Sequence, residues 1–466
     1  PPLQHLQWVG SPRWSRHHDR TSSVPAAVSA GGRLFLFVDE GPAASILYPP
    51  EWNLVARNAF NGTVLWKRPM GTWISTLWPL KSGPAQVPRR LVAKGPAVYA
   101  TLAIGAPVTK LDAATGATLH TYAGTEHTDE ILLDGGVLYV VLDPETPTVF
   151  PGTWIPHPKR VLAVRETDGH VLWDRTLPWV APCSLTVAPA RILAFDGDGV
   201  VALDRDTGER VWRSEPLPAM KPMSVFFGPT LVATERYALF AGGEEYFKHG
   251  GSFGKMTCLD LATGKTRWQV THPPSGYKSP QDIFVIDGQA WCGNTTCKPT
   301  EGGPNPNSKR YKSYEPFLST GEMFAYSLED GARTRSLDPT EECYWFHHRC
   351  YRAKATENYF LLSRTGIEFV DVDSGAWTLH HWTRGACLYG VLPANGLVYS
   401  TPHPCACYPE TKLNGLNALG GPRPAHQPVA PPLPRLTKGP AYGSVPDQAQ
   451  AASAEAWPTF RGTPLR

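Results

Sequence analysis

The chain has almost no net charge: 44 lysines and arginines stand against 41 aspartates and glutamates, a formal +3 over 466 residues. That balance gives no electrostatic reason to expect nucleic acid or an anionic membrane surface as a partner. No apolar run approaches the roughly 18 residues of a membrane-crossing helix, so no transmembrane segment is expected. The chain opens on Pro1-Pro2, without a methionine or the apolar core of a signal peptide, and reads as processed or excised at that end. It shows no strand-to-helix nucleophile elbow, phosphate-binding P-loop or dinucleotide fingerprint, which leaves ordinary hydrolase and nucleotide chemistry without support. Cysteine is sparse and odd in number, at nine. In an oxidising compartment at least one thiol would be left free, metal-bound or paired between chains, whereas in a reducing one all can be thiols.

Proline (47) and tryptophan (16) are plentiful, as in a loop-rich all-β chain with aromatic docking residues. The organising stretch is Leu203 to Trp212, L-D-R-D-T-G-E-R-V-W. Asp204 and Thr207-Gly208 suit a tight turn, and Val211-Trp212 resumes a strand with a large aromatic to bury. Copies end at Trp66, Leu119, Trp173, Trp268, Thr334 and Trp377, and Leu416 to Leu419 is a decayed eighth. Upstream of each lies a short turn before an alternating apolar strand, as at Asp134-Gly135-Gly136 before Val137-Leu138-Tyr139. The two features interleave eight times, so each unit is four short strands. The expected fold is all-β, an eight-bladed β-propeller of four-stranded antiparallel blades over residues 1–420.

Residues 421–466 are rich in proline, alanine and glycine and read as a linker or tail, with Trp457 to Gly462 either closing the ring or opening something further. Both hairpin turns of a blade share one face of the ring, so the long variable loops share the other. Function is expected on that loop face, where a rigid scaffold positions irregular segments.

About eight residues upstream of the turns the chain carries Ser23, Val87, His127, Cys183, Gly228, Ser279, Cys350 and Cys387. Half are Cys or His, at the point where each blade enters the channel mouth. They read either as ligands or as small residues favoured where eight strands crowd together. The segment Cys343 to Lys354, C-Y-W-F-H-H-R-C-Y-R-A-K, is the richest in chemistry. With His127, Cys183, Cys387 and Tyr389, its Trp345, Arg349, Cys350, Arg352 and Lys354 form the candidate ligand-binding face. His347, His348, Cys350, Cys387, His403, Cys405 and Cys407 are the candidate metal ligands, since imidazole and thiolate suit zinc and copper. Disulfides and packing are the competing account of the same residues. Cys292 and Cys297 can close a short disulfide loop at the base of the longest insertion, and Cys258 is expected to be a buried free thiol.

The D-x-x-T-G-x-x-x-W signature resembles the tryptophan-docking repeat of pyrroloquinoline-quinone-type β-propellers, a family of quinoprotein alcohol dehydrogenases and the cofactor-free outer-membrane assembly lipoprotein. More narrowly, Gly10 to Trp14, Trp78 to Pro84, His347 to Thr356 and Pro402 to Tyr408 look like propeller proteins of planctomycetes and related bacteria, in which a segment like Trp457 to Gly462 opens a second propeller. The resemblance implies an exported protein, periplasmic or extracellular. Two functions follow from it. One is a binding or assembly scaffold that engages a protein or glycan partner through the loop face. The other is an oxidoreductase with a quinone or copper site at the channel mouth, zinc or calcium being the other metals considered. Quinoproteins of this family hold the quinone beneath a disulfide of adjacent cysteines, with an Asp base beside calcium. No adjacent cysteine pair exists here, and Asp129, Glu130, Glu341 and Glu342 are acids that nothing fixes as a pair. The quinone itself is therefore not expected, and the scaffold is the favoured reading.

Overall fold

The structure is a computed structural model that describes residues 2–12, 24–42, 44, 48–71, 87–144, 153–223, 228–243, 245–247, 251–272, 282–293, 323–337, 351–362, 366–386, 389–402 and 413–422. All of them lie in the compact unit Pro1–Pro422. They form eight antiparallel sheets arranged in a ring, the all-β eight-bladed propeller expected from the interleaved repeats. The first blade runs Ala26–Ala30, Arg33–Asp39, Trp52–Asn58 and Val64–Pro69. Blades 2 to 7 follow at 91–121, 128–177, 186–213, 230–272, 284–337 and 354–380. A four-residue 3-10 turn, Val87–Arg90, is the only helical element among the described residues.

The eighth blade is composite. Its three inner strands are Val391–Ala394, Leu397–Ser400 and Leu416–Gly420, and its outer strand is His5–Gly10, paired antiparallel on Leu416–Gly420 with Val9 opposite Asn417. The ring is thus closed by the N-terminal strand, and closure does not call on Trp457 to Gly462.

Local chemistry explains the signature. Asp204 Oδ1 accepts the backbone N–H groups of Asp206 (3.1 Å) and Thr207 (3.0 Å) and the Thr207 hydroxyl (3.1 Å), while Gly208 sits at φ +69°. Asp112, Asp260 and Asp371 build the same turn. The side chain four residues after the glycine then reaches the next blade. Trp66, Trp173, Trp212 and Trp268 donate their indole N–H to the carbonyls of Ala113, Arg205, Leu261 and Leu328, at 2.9 to 3.1 Å. Trp8 on the N-terminal strand does the same to Ala59 in blade 1 at 2.8 Å. Each ring lies flat against the glycine three residues beyond the accepting carbonyl. A Cβ there would come within 2.4 to 2.7 Å of the indole.

Two seams use other donors for the same carbonyl. Between blades 2 and 3, where the signature has His120, Tyr122 donates its hydroxyl to Glu166 at 2.7 Å. Between blades 6 and 7, Arg335 donates to Val372 (2.9 Å) and Asp373 (2.8 Å). Among the described residues the seam between blades 7 and 8 shows no such bond; the composite blade 8 has no covalent turn between its last two strands and so lacks the carbonyl that the other seams use. A cavity of about 440 Å³ remains there, lined by Leu361, Phe369, Val398 and Leu419.

Candidate functional site

Each blade's innermost strand runs from the loop face at the channel mouth down to the first hairpin turn. In blade 3 the last pair before that turn is Asp134 with Val137, and the matching residues elsewhere include Ala30, Lys94, Ile286 and Ala394. Four residues earlier on the strand lies a ring at the mouth, with Arg90, Glu130, Ser184, Thr230, Asp282 and Arg352 from blades 2 to 7 and Ala26 and Gly390 from blades 1 and 8. This ring is polar in six blades of eight, and the charges in it are tied down.

Arg90 donates to Asp129 Oδ1 at 2.6 Å, and Lys159 donates to Asp129 Oδ2 at 2.7 Å while lying 3.1 Å from Asp143. Asp143 in turn meets His157 Nε2 at 2.8 Å, and His157 Nδ1 meets the Ile155 carbonyl at 2.9 Å. Arg90, Asp129, Asp143 and Lys159 are all buried. Burial acts to raise the Asp129 carboxyl, but Lys159 and Arg90 outweigh it and hold the group below its ordinary value. Lys159 is held above its ordinary value, burial being outweighed by Asp129 and Asp143. Such a network is internally compensated, so removing one member strands the others without partners.

Other side chains span the mouth between blades that are not neighbours. Arg89, paired with Glu130, also donates to the carbonyls of Cys183 (3.1 Å) and Leu185 (3.2 Å), reaching from blade 2 to blade 4. Arg352 donates to Thr230 Oγ1 (2.9 Å) and the Pro229 carbonyl (3.3 Å), reaching from blade 7 to blade 5. Asp282 accepts the Ala353 amide at 3.0 Å. Arg89 thereby ties blades 2, 3 and 4 at the mouth, and Arg352 ties blades 5 and 7.

Of the residues read from the sequence as a site, the structure describes six. Arg352 lies in the ring at the mouth, and Lys354 lies two residues further down the same strand. Tyr389 is buried and donates its hydroxyl to Ala27 at 2.7 Å, fastening blade 8 to blade 1, while its ring lies 6.0 Å from the Lys354 ammonium. His127 and Cys183 occupy the same turn, each with left-handed backbone (φ 60° and 63°) followed by a hydroxyl that bonds back three residues. Those bonds are Thr128 to Thr125 (2.6 Å) and Ser184 to Ala181 (2.7 Å). His127 is exposed beside Gly105, whereas Cys183 is buried against Arg89 with its thiol pushed up by burial. The two are turn residues that share no partner.

Of the expected Cys292–Cys297 bridge, only Cys292 lies among the described residues. Cys292 is a free thiol, 1% exposed, in the apolar cluster with Cys258, Trp268, Ala290 and Tyr326. Strand alternation turns it into the seam, away from the insertion that follows. Cys258 is free and buried, as expected. Cys297, Trp345, His347, His348, Arg349, Cys350, Cys387, His403, Cys405 and Cys407 lie outside the described residues. Among the described residues no three His, Cys, Asp or Glu side chains converge on a point that could hold a metal ion.

Sequence reading missed Arg89, Arg90 and Lys159. The signal for the two arginines was register: Arg89-Arg90 occupies the same place in blade 2 as Asp129-Glu130 in blade 3. It also passed over Gly250-Gly251-Ser252-Phe253-Gly254, which spells G-x-S-x-G. Ser252 lies within the strand Gly251–Asp260 and not at a strand-to-helix turn, so the match is fortuitous.

Comparison with known proteins agrees with this geometry. A family model described as outer membrane protein assembly factor BamB matches residues 196–282. The repeats are similar to those of PQQ-like β-propellers. A quinohemoprotein alcohol dehydrogenase, ADH IIB of Pseudomonas putida, is 30% identical over 167 residues, which is 33% of this chain and 23% of that enzyme. The match thus spans about a quarter of the curated relative's length. Among solved structures, the computationally designed Ika8 protein covers 90% of this chain and is itself covered in full, at TM-score 0.53 and 12% identity. A europium-containing methanol dehydrogenase covers 89% of this chain, with 92% of its own length matched, at TM-score 0.47 and 11% identity. These two likenesses concern the fold alone.

Proposed function

We propose that this propeller is a binding or assembly scaffold that engages a partner protein through its loop-bearing face, exported to the periplasm or cell exterior like the assembly factor whose repeats it resembles. The observation that carries the reading is the occupied state of the channel mouth. Asp129 lies between Arg90 and Lys159, and Glu130 is paired to Arg89, so neither described acid is placed to serve as a base or to ligate calcium. The adjacent cysteine pair that roofs the quinone in the dehydrogenases has no counterpart in the sequence. The described part of the mouth therefore does not fit that cofactor.

The second reading, an oxidoreductase with a quinone or copper at the mouth, is favoured by the 30% identity to the alcohol dehydrogenase segment and by the Cys/His-rich loops. An absorption spectrum with elemental analysis of protein purified from its native source separates the two. The scaffold reading expects neither quinone absorbance nor stoichiometric metal. One equivalent of either per chain overturns it.

A further inference from the structure

Two residues further down each inner strand from the charged ring lies a second ring, and its composition is lopsided. Val28, Val92, Leu132, Val232, Phe284 and Leu392 hold six of its positions and Thr186 a seventh; the eighth is Lys354. All eight are half-buried, the six apolar ones packing in part on the clusters between neighbouring blades. Thr186 is occupied, donating to the Ser184 and Leu231 carbonyls. Lys354 is not. Among the described residues no carboxylate stands within ion-pair distance of its ammonium, which lies 6.0 Å from the centre of the Tyr389 ring. Burial lowers the ammonium below its ordinary value; Asp282 opposes this, while Arg352 and Arg89 add to it. Asp282 already holds the Ala353 amide.

We propose that the channel binds a small organic carboxylate with an apolar body, its carboxylate on Lys354 beneath Arg352 and its body against the apolar side chains of the same ring. A cation desolvated without a partner is costly, and an incoming carboxylate offsets that cost through a charge-assisted hydrogen bond. The six apolar neighbours give a ligand body surface to leave water for, which a strongly hydrated inorganic anion cannot use. Arg89 and Arg352 bar large ligands at the mouth, because each is anchored across the channel to backbone carbonyls of another blade. This site goes beyond the scaffold reading and does not depend on what the loop face engages.

The test is calorimetric titration of the full chain with hexanoate, hexanol and inorganic phosphate, repeated with Lys354→Met and Lys354→Arg. Hexanoate is expected to bind one per chain, at least tenfold tighter than hexanol or phosphate. Lys354→Met should lower hexanoate affinity at least tenfold and leave hexanol unchanged, and Lys354→Arg should keep most of the hexanoate affinity. Unchanged hexanoate binding in Lys354→Met, phosphate binding as tight as hexanoate, or no hexanoate binding at millimolar concentration overturns the proposal. The ranking of the three ligands on the unmodified protein decides the matter even if a variant does not fold.

Discussion

Gly264→Ala isolates the contact that holds one blade to the next. Gly264 sits at φ +71°, and a Cβ built on it comes within 2.4 Å of the Trp212 ring. Left-handed backbone costs an alanine about 1 kcal/mol. Driving the indole aside adds overpacking of about 1–3 kcal/mol and weakens the 3.0 Å bond to Leu261, together about 2–5 kcal/mol for the substitution. Gly95→Ala is the control, since Gly95 has φ +56° with nothing within 4 Å of its Cβ direction, and should cost only the backbone part, about 1 kcal/mol. Urea unfolding at matched slope gives both values. The excess at Gly264 should shrink when Trp212 is replaced by Leu. If Gly264→Ala and Gly95→Ala cost the same within about 0.5 kcal/mol, the docking argument is refuted.

The remaining expectations bear on closure, charge and thiols. Trp8→Ala removes a buried indole and its bond to Ala59 from the strand that closes the ring; it should cost about 3–5 kcal/mol in the same unfolding assay. Asp129→Asn leaves Arg90 and Lys159 short of a charge and should cost about 3–5 kcal/mol at neutral pH. Because the Asp129 carboxyl is held below its ordinary value, its contribution is complete above about pH 4 and is lost as pH falls through the folded value. The acid limb of an unfolding-versus-pH curve should therefore flatten in Asp129→Asn. The thiols of Cys258 and Cys292, pushed up by burial to about 12, should resist Ellman's reagent in native protein and react once it is unfolded.

The blade count was legible because its signal is local: an Asp, a Thr-Gly turn and an aromatic four residues on are all set by short-range chemistry. Ring closure was not, since His5 meets Gly421 across 416 residues with no motif to announce it. Seams that replace tryptophan were also hidden. Tyr122 and Arg335 serve the same carbonyl position as the indoles, but a side chain's reach to the next blade is a property of the assembled ring. At the site, that strand alternation buries Cys292 in a seam is likewise a property of the assembled ring. The compensated network of Arg90, Asp129, Lys159 and Asp143 needs three strands and a 3-10 turn brought together, and no single segment carries its pattern.

The most direct test of the scaffold reading is reconstitution. The purified chain is incubated with pyrroloquinoline quinone and calcium, and separately with copper, passed through gel filtration, and assayed for bound cofactor and for alcohol-dependent reduction of an artificial electron acceptor. The account expects no retained quinone or copper at stoichiometric level and no turnover. One equivalent retained per chain, with acceptor reduction that depends on added alcohol, would contradict it.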